Sequence, residues 1–169
     1  MISVGDVFPE FDLTGVDCNN EMVDISERDL FDCWSVIYFY PKDFTFICPT
    51  EIQGFDALVG GDVDVLGFSP DNEYCKLAWK GAVDLISDIE HTLVSDCSNQ
   101  LALELGIVSD EYVPYRATFI LDEDNVVQHV TVNALDTGRN HQETERTLEA
   151  LRAGGLTGCN WQSGDDFVA

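Results

Sequence analysis

Four short runs of the chain are dense in β-branched and aromatic side chains and bounded by polar or turn residues: WSVIYFY (34–40), VDVLGFS (63–69), ATFILD (117–122) and VVQHVTV (126–132). Runs of that length and make-up predict strands. The spacing becomes helical over 50–59, 72–83 and 98–105, and again over 141–152, where Thr144, Leu148 and Leu151 share one face. Gly154 and Gly155 stop that last helix. Strands alternate with helices in the first half only, and the last two strands are joined across DEDN. The pattern therefore predicts parallel strands first and an antiparallel hairpin later, all in one mixed sheet.

That order resembles the thioredoxin-like α/β fold, a mixed central sheet flanked by helices on both faces. At 169 residues the chain buries roughly two-thirds of its unfolded surface, enough for one core. The expected division is a domain over 1–155 and an irregular C-terminal tail over 156–169, LTGCNWQSGDDFVA, able to reach a partner. Acids number 32 against 8 Lys and Arg, a net charge of −24, which repels phosphate backbones and anionic lipid surfaces. Nucleic acid and membrane are excluded as partners on that ground. A solvated acidic surface accounts for the charge, with a salt-adapted source or a basic partner as alternatives. The N-terminus MISVGDVFPEFDL lacks a basic region followed by an apolar one, and no stretch approaches the ~18 apolar residues of a membrane span. A cytoplasmic protein is expected.

Cysteines stand at 18, 33, 48, 75, 97 and 159, without the close pairs that metal sites use. Buried packing is the plain expectation for Cys18, Cys33, Cys75 and Cys97. Cys48 is different. Pro41 has no N–H for a ladder, so the first strand ends there. Thr45 is a candidate N-cap and Pro49 fits a first helical turn, which puts Cys48 at the N-terminus of a helix with its sulfur expected to be exposed. Such positions favour thiolate over thiol, and the turn after a strand's carboxyl end is where open α/β sheets place ligands. His91, His129 and His141 have no metal-ligand spacing and are expected in surface or satisfied polar roles. No metal and no bound cofactor is called for.

The stretch PKDFTFICPTEI (41–52) resembles the P-x-x-x-T-x-x-C signature of the peroxiredoxins, in the form of their typical two-cysteine and alkyl hydroperoxide reductase C branch. SPDNEYCKLAW (69–79), YRATFILD (115–122) and TGRNHQETERTLEAL (137–151) extend the resemblance over nearly the whole chain. It implies that Cys48 is the peroxidatic cysteine, that Pro41, Thr45 and Arg116 complete its surroundings, and that Glu51, Trp79 and Arg139 support it. It also implies a peroxide substrate, a thioredoxin-like or other dithiol protein as reductant, and a homodimer assembled into a ring of dimers. An acidic chain needs a local cation beside a thiolate; Arg116 heads a predicted core strand, and Glu51 and Arg139 are placed to pair and orient it.

Thiolate formation is not sufficient for such chemistry. Lowering a thiol from about 8.5 to about 6 raises the thiolate fraction about 30-fold, yet reduced nucleophilicity returns roughly 10- to 18-fold of that. Transition-state donors must supply the rest. The sulfenic acid left behind needs a second thiol. The resemblance points to Cys159 in the tail, although the relatives' usual position, four before the tryptophan, is Thr157 here, and Cys159 is two before Trp161. A one-cysteine cycle, or capture by Cys75 or Cys97, stays open. Lys76 stands where relatives carry histidine, and the Gly-Gly-Leu-Gly loop and C-terminal Tyr-Phe pair are absent, which implies an enzyme slow to over-oxidise. The acidic surface implies preference for neutral over anionic peroxides. Two other classes are weighed: a disulfide oxidoreductase, which would need C-x-x-C where Thr45 precedes Cys48 by three, and an oligomeric holdase or scaffold that would tolerate loss of Cys48.

Overall fold

A computed structural model describes residues 1–60 and 62–169 of the chain. Seven strands form one sheet in the order β2-β1-β5-β4-β3-β6-β7. They are β1 (Asp12–Val16), β2 (Met22–Ser26), β3 (Trp34–Phe39), β4 (Val63–Ser69), β5 (Thr92–Ser95), β6 (Arg116–Leu121) and β7 (Val127–Asn133). The helices are α1 (Cys48–Asp56), α2 (Glu73–Ala82), α3 (Gln100–Leu105) and α4 (His141–Ala153). Two compact units result: Met1–Arg139, with the sheet and the first three helices, and Asn140–Ala169, with α4 and the tail.

Strands β3, β4 and β5 run parallel, and β6 and β7 form the antiparallel hairpin. The four strands expected from the pattern are present within a residue of the expected bounds. Strands β1, β2 and β5 were not expected. β5 has only four residues, and β2 has no fully buried position, so neither carries the dense apolar run that marks a buried strand.

Alternation along β3 explains how both sheet faces are covered. Ile37 and Phe39 enter a core with Phe8, Phe119, Leu101 and Leu105, so α3 and the N-terminal segment cover that face. Tyr38 and Tyr40 point the other way: Tyr38 stacks on Phe55 of α1 at 4.2 Å, and Tyr40 lies against Trp79 of α2 at 6.1 Å. Burying each such ring contributes about 1.5–3 kcal/mol. Gly67 faces the Tyr38 ring, and a Cβ there would collide with the phenol. The space lets Tyr38 Oη reach His91 Nε2 at 2.7 Å, while His91 Nδ1 meets Asp56 Oδ1 at 2.7 Å. His91 is thus a buried, satisfied polar residue.

In the second unit, Asn140 caps α4 by accepting from the N–H groups of Gln142 and Glu143, and Gly154 ends it in the left-handed region. The tail has no regular element, yet it is anchored within its unit. Trp161 stacks on Phe167 at 6.0 Å, and Arg146 donates to the Trp161 carbonyl at 3.1 Å.

Candidate active site

The chain leaves β3 through Tyr40, whose N–H still donates to Phe68 O at 2.9 Å, and reaches Pro41, where pairing stops. Residues 41–47 form a loop in which Phe44 takes a left-handed conformation, φ 54°, uncommon for a bulky side chain. α1 then begins at Cys48. Ile47 is its N-cap and supplies no side-chain hydrogen bond, so Thr45 is not the cap. Its hydroxyl donates instead to Lys42 O at 2.9 Å inside the loop, because the helix starts too late for Thr45 to reach its N–H groups.

Cys48 opens the helix but is not exposed. Its relative accessibility is 0%, and Pro49, Glu51, Ile52 and Phe55 of the same helix are buried with it. The first turn faces inward because this row of side chains packs down on the sheet, carrying the cysteine with it. The other cysteines also differ from expectation: Cys18 and Cys97 are exposed, and Cys33 and Cys75 are partly exposed. They lie before or between regular elements or on an outer helix position, where no apolar layer covers them.

Arg116, the first residue of β6, donates through Nη1 to Cys48 Sγ at 3.4 Å and to Glu51 Oε2 at 2.6 Å. Its Nε donates to Leu135 O at 2.7 Å, so the fork is held at two points. Glu51 also accepts from Arg139: its backbone N–H at 3.1 Å, Nε at 2.9 Å and Nη2 at 2.9 Å. Arg139 Nη1 in turn donates to Ala117 O at 2.8 Å, and its guanidinium lies 5.3 Å from the Tyr38 ring and 5.1 Å from that of Phe55. The three charged side chains are 3–4% exposed. This is a buried, hydrogen-bonded series rather than a surface ion pair, so it fixes position strongly. Burial opposes the charge on Arg116, but the hydrogen bond to Cys48 and the Glu51 carboxylate outweigh it and raise its pKa.

A cleft of about 300 Å³ opens beside this series, lined by Pro41, Thr45, Phe46, Val113, Arg116 and Leu135 among others. Lys42, Glu111 and Asp136 complete its wall, so apolar surface and charged groups of both signs meet there, a mixture that suits a small, uncharged oxygen compound. Trp79 touches no reacting atom; its buried ring lies 5.9 Å from Phe44 and 6.1 Å from Tyr40, under the loop. The structure therefore brings Cys48, Arg116, Glu51 and Arg139 into direct contact, puts Pro41 and Thr45 on the cleft wall, and leaves Trp79 as a floor. Cys159 is exposed in the second unit. Unforeseen was a buried polar cluster behind the loop, formed by Lys76, Asp43, Ser69 and Tyr40. The signal for it was Lys76 itself, one helical turn from Trp79 and hence on the same face.

A thioredoxin-like sheet, a cysteine at a helix start and a guanidinium donating to its sulfur define a thiol-dependent peroxidase. The family model described as AhpC/TSA matches residues 4–130. The chain belongs to that family, the peroxiredoxins. Alkyl hydroperoxide reductase C of Mycolicibacterium smegmatis is 37% identical, the match covering 99% of this chain and 94% of that protein. Among solved structures, the reduced 2-Cys peroxiredoxin of Plasmodium vivax aligns with a TM-score of 0.92 at 32% identity, covering 98% of this chain and 92% of that one. Mycobacterium tuberculosis AhpC aligns with a TM-score of 0.87 at 31% identity, covering 96% and 99%.

Proposed function

We propose that the protein reduces hydrogen peroxide and small organic hydroperoxides at Cys48, with Arg116 as the donor that steers the reaction. The observation that carries this reading is the Arg116 Nη1 contact to Cys48 Sγ at 3.4 Å, made by a guanidinium that Glu51 and Leu135 hold in place. The Cys48 thiolate attacks one peroxide oxygen as the O–O bond breaks. Sulfur becomes a sulfenic acid, and the other oxygen takes a proton and leaves as water or alcohol. Negative charge moves from sulfur toward the leaving oxygen, so the Arg116 N–H groups and the Cys48 N–H at the helix start stabilise it best in the transition state, and the Thr45 hydroxyl joins them once it turns from Lys42 O. Pro41 shields the sulfur from water.

Cys159 is the proposed resolving thiol, supported by its exposure in an irregular segment and by the accessibility that thiol exchange requires. A dithiol protein then returns the disulfide to two thiols, which places the cycle in the reducing cytoplasm. The proposed assembly is a homodimer, further associated as a ring of dimers. Support comes from β7, which ends the sheet and offers a free edge for pairing with a second copy.

Cys48→Ser is expected to abolish peroxide consumption, measured as loss of hydrogen peroxide in the presence of dithiothreitol. Wild-type rates in that variant overturn the assignment of Cys48. Mass spectrometry of peroxide-treated protein without reductant checks the second half: a Cys48–Cys159 bridge is expected, and a stable sulfenic acid or a bridge to Cys75 or Cys97 removes Cys159 from the cycle.

A further inference from the structure

Tyr38 on β3 and His91, which leads into β5, are both buried. Tyr38 Oη lies 2.7 Å from His91 Nε2, and His91 Nδ1 lies 2.7 Å from Asp56 Oδ1 at the end of α1. The same carboxylate oxygen accepts the backbone N–H groups of Glu90 at 2.8 Å and of His91 at 3.3 Å. Burial outweighs the Asp56 carboxylate and pushes the His91 pKa below its ordinary value, and burial holds the Tyr38 phenol well above its own. At pH 7 the imidazole is therefore neutral. Its Nδ1–H donates to Asp56, and the Nε2 lone pair accepts the phenol proton.

A phenol and an imidazole are costly to bury, and apolar side chains of the same volume would fill this space without that cost. What the hydrogen bonds add is a single ring position. The Tyr38 ring stacks on Phe55 at 4.2 Å, and the Arg139 guanidinium lies over both rings, 5.3 Å from Tyr38 and 5.1 Å from Phe55. A guanidinium at that range is drawn to the negative face of an aromatic ring. Glu51 and Phe55 are four residues apart on α1 and share one side of it, so Arg139 is held between a carboxylate and the stacked rings. Arg139 donates to both Glu51 oxygens, Glu51 Oε2 also accepts from Arg116 Nη1, and that Nη1 donates to Cys48 Sγ. Three charged side chains in mutual contact thus connect the Tyr38 ring to the sulfur.

We propose that His91 is a positioning residue for peroxide reduction: oriented by Asp56, it fixes the Tyr38 phenol, the phenol seats Arg139, and Arg139 with Glu51 aims the Arg116 N–H groups at Cys48. The inference rests on the proposed peroxidase chemistry at Cys48. No proton passes along the series, because Tyr38 meets Arg139 through its ring and His91 through its hydroxyl. Its part is geometric. Donors that stabilise a leaving oxygen act only when they are held in place beforehand, and a misplacement of about 1 Å costs up to roughly 10²-fold. Arg139 keeps its hydrogen bonds to Glu51 and Ala117 when the phenol is lost, so breaking the series has a smaller effect than that.

Tyr38→Phe, His91→Phe and His91→Gln test the series with two measurements on the full-length protein. The first is the second-order rate constant with hydrogen peroxide, read by stopped flow at pH 7. The second is the exchange of the Arg139 Nε–H with solvent in reduced protein, followed by nitrogen-15 NMR. Tyr38→Phe and His91→Phe are expected to slow the peroxide reaction about five- to tenfold and to speed the exchange by a similar factor. His91→Gln is expected to stay within about twofold of wild type in both, because its carbonyl accepts from the phenol while its amide donates to Asp56. Wild-type values in Tyr38→Phe overturn the inference. So does a change in only one of the two measurements, since the effect then does not run through Arg139, and so does a His91→Gln protein as slow as His91→Phe, since ring volume rather than hydrogen bonding then matters. If His91→Phe does not fold, Tyr38→Phe, which loses one oxygen, decides. Exchange needs no peroxide chemistry, so a wild-type protein that consumes no peroxide sinks the proposed function while the Arg139 exchange still judges the seat.

Discussion

Cys33 immediately precedes β3, and Cys48 opens the helix that follows it, so one strand separates two thiols in opposite surroundings. Cys33 is partly exposed, and its thiol donates to Asp64 Oδ2 at 2.8 Å. Burial, the hydrogen bond to Asp64 and the charges of Asp64, Asp32 and Asp62 push its pKa up to about 11. Cys48 is fully buried, yet it receives a hydrogen bond from Arg116. The two sites differ in the sign of the neighbouring charge, an acid beside Cys33 and a guanidinium beside Cys48. In a protein with a net charge of −24, an acidic neighbour is the common case. The fold makes the exception by converging two of five arginines on the carboxyl end of β3 through Glu51.

Removing the exception is the most damaging way to break this contrast. Arg116→Met leaves Cys48 with helix N–H groups but no cation. The second-order rate constant with hydrogen peroxide, read by stopped flow, is expected to fall about 10²–10³-fold, the usual cost of a lost transition-state donor. A fall below tenfold would mean that the helix start alone distinguishes the two thiols. Glu51→Gln is the next test, because it keeps the shape but leaves two guanidinium groups facing each other in the interior. Breaking a buried pair costs about 3–5 kcal/mol, so urea denaturation is expected to show that loss and the peroxide rate to fall about tenfold. A rate that falls with no change in stability would show that Glu51 orients Arg116 without holding the fold.

Much of this arrangement was legible in the sequence. Strands β3, β4 and β6 announce themselves because they are largely buried and rich in β-branched or aromatic side chains, β7 shows by its β-branched residues alone, and Arg116 could be placed at a strand start for the same reason. The family signature drew Cys48, Arg116, Glu51 and Arg139 together, and the geometry joins all four. Two things were hidden. The start of α1 depends on where the 41–47 loop stops turning, and Phe44 with its positive φ is no local signal for that; Thr45 was misplaced as a cap in consequence. Burial of Cys48 depends on how the first turn of α1 is rotated against the sheet, a tertiary property. For the Lys76–Asp43 pair the sequence marked only Lys76, since 33 residues separate the two and only the parallel β3–β4 crossover brings them together.

The mildest perturbation sharpens the contrast from the Cys33 side. Asp64, on β4 beside the start of β3, is the acceptor for the Cys33 thiol and one of three acidic charges acting on it. Asp64→Asn removes that charge and keeps a hydrogen-bonding group, while the burial of Cys33 remains. The Cys33 pKa should therefore move from about 11 part of the way toward its ordinary 9.0. Because the thiolate is the species that alkylates, iodoacetamide labelling of the Cys33 peptide at pH 8 is expected to rise severalfold, with labelling of Cys48 as the internal reference. The same shift predicts a sign for stability. The unfolded thiol ionises before the folded one, so the contribution of Cys33 is fully present below pH 9 and is lost as pH rises toward 11. The variant should lose less stability than wild type over that range. Equal labelling and equal alkaline loss would show that burial rather than the acidic neighbour silences Cys33, and the two ends of β3 would then differ in packing and not in charge.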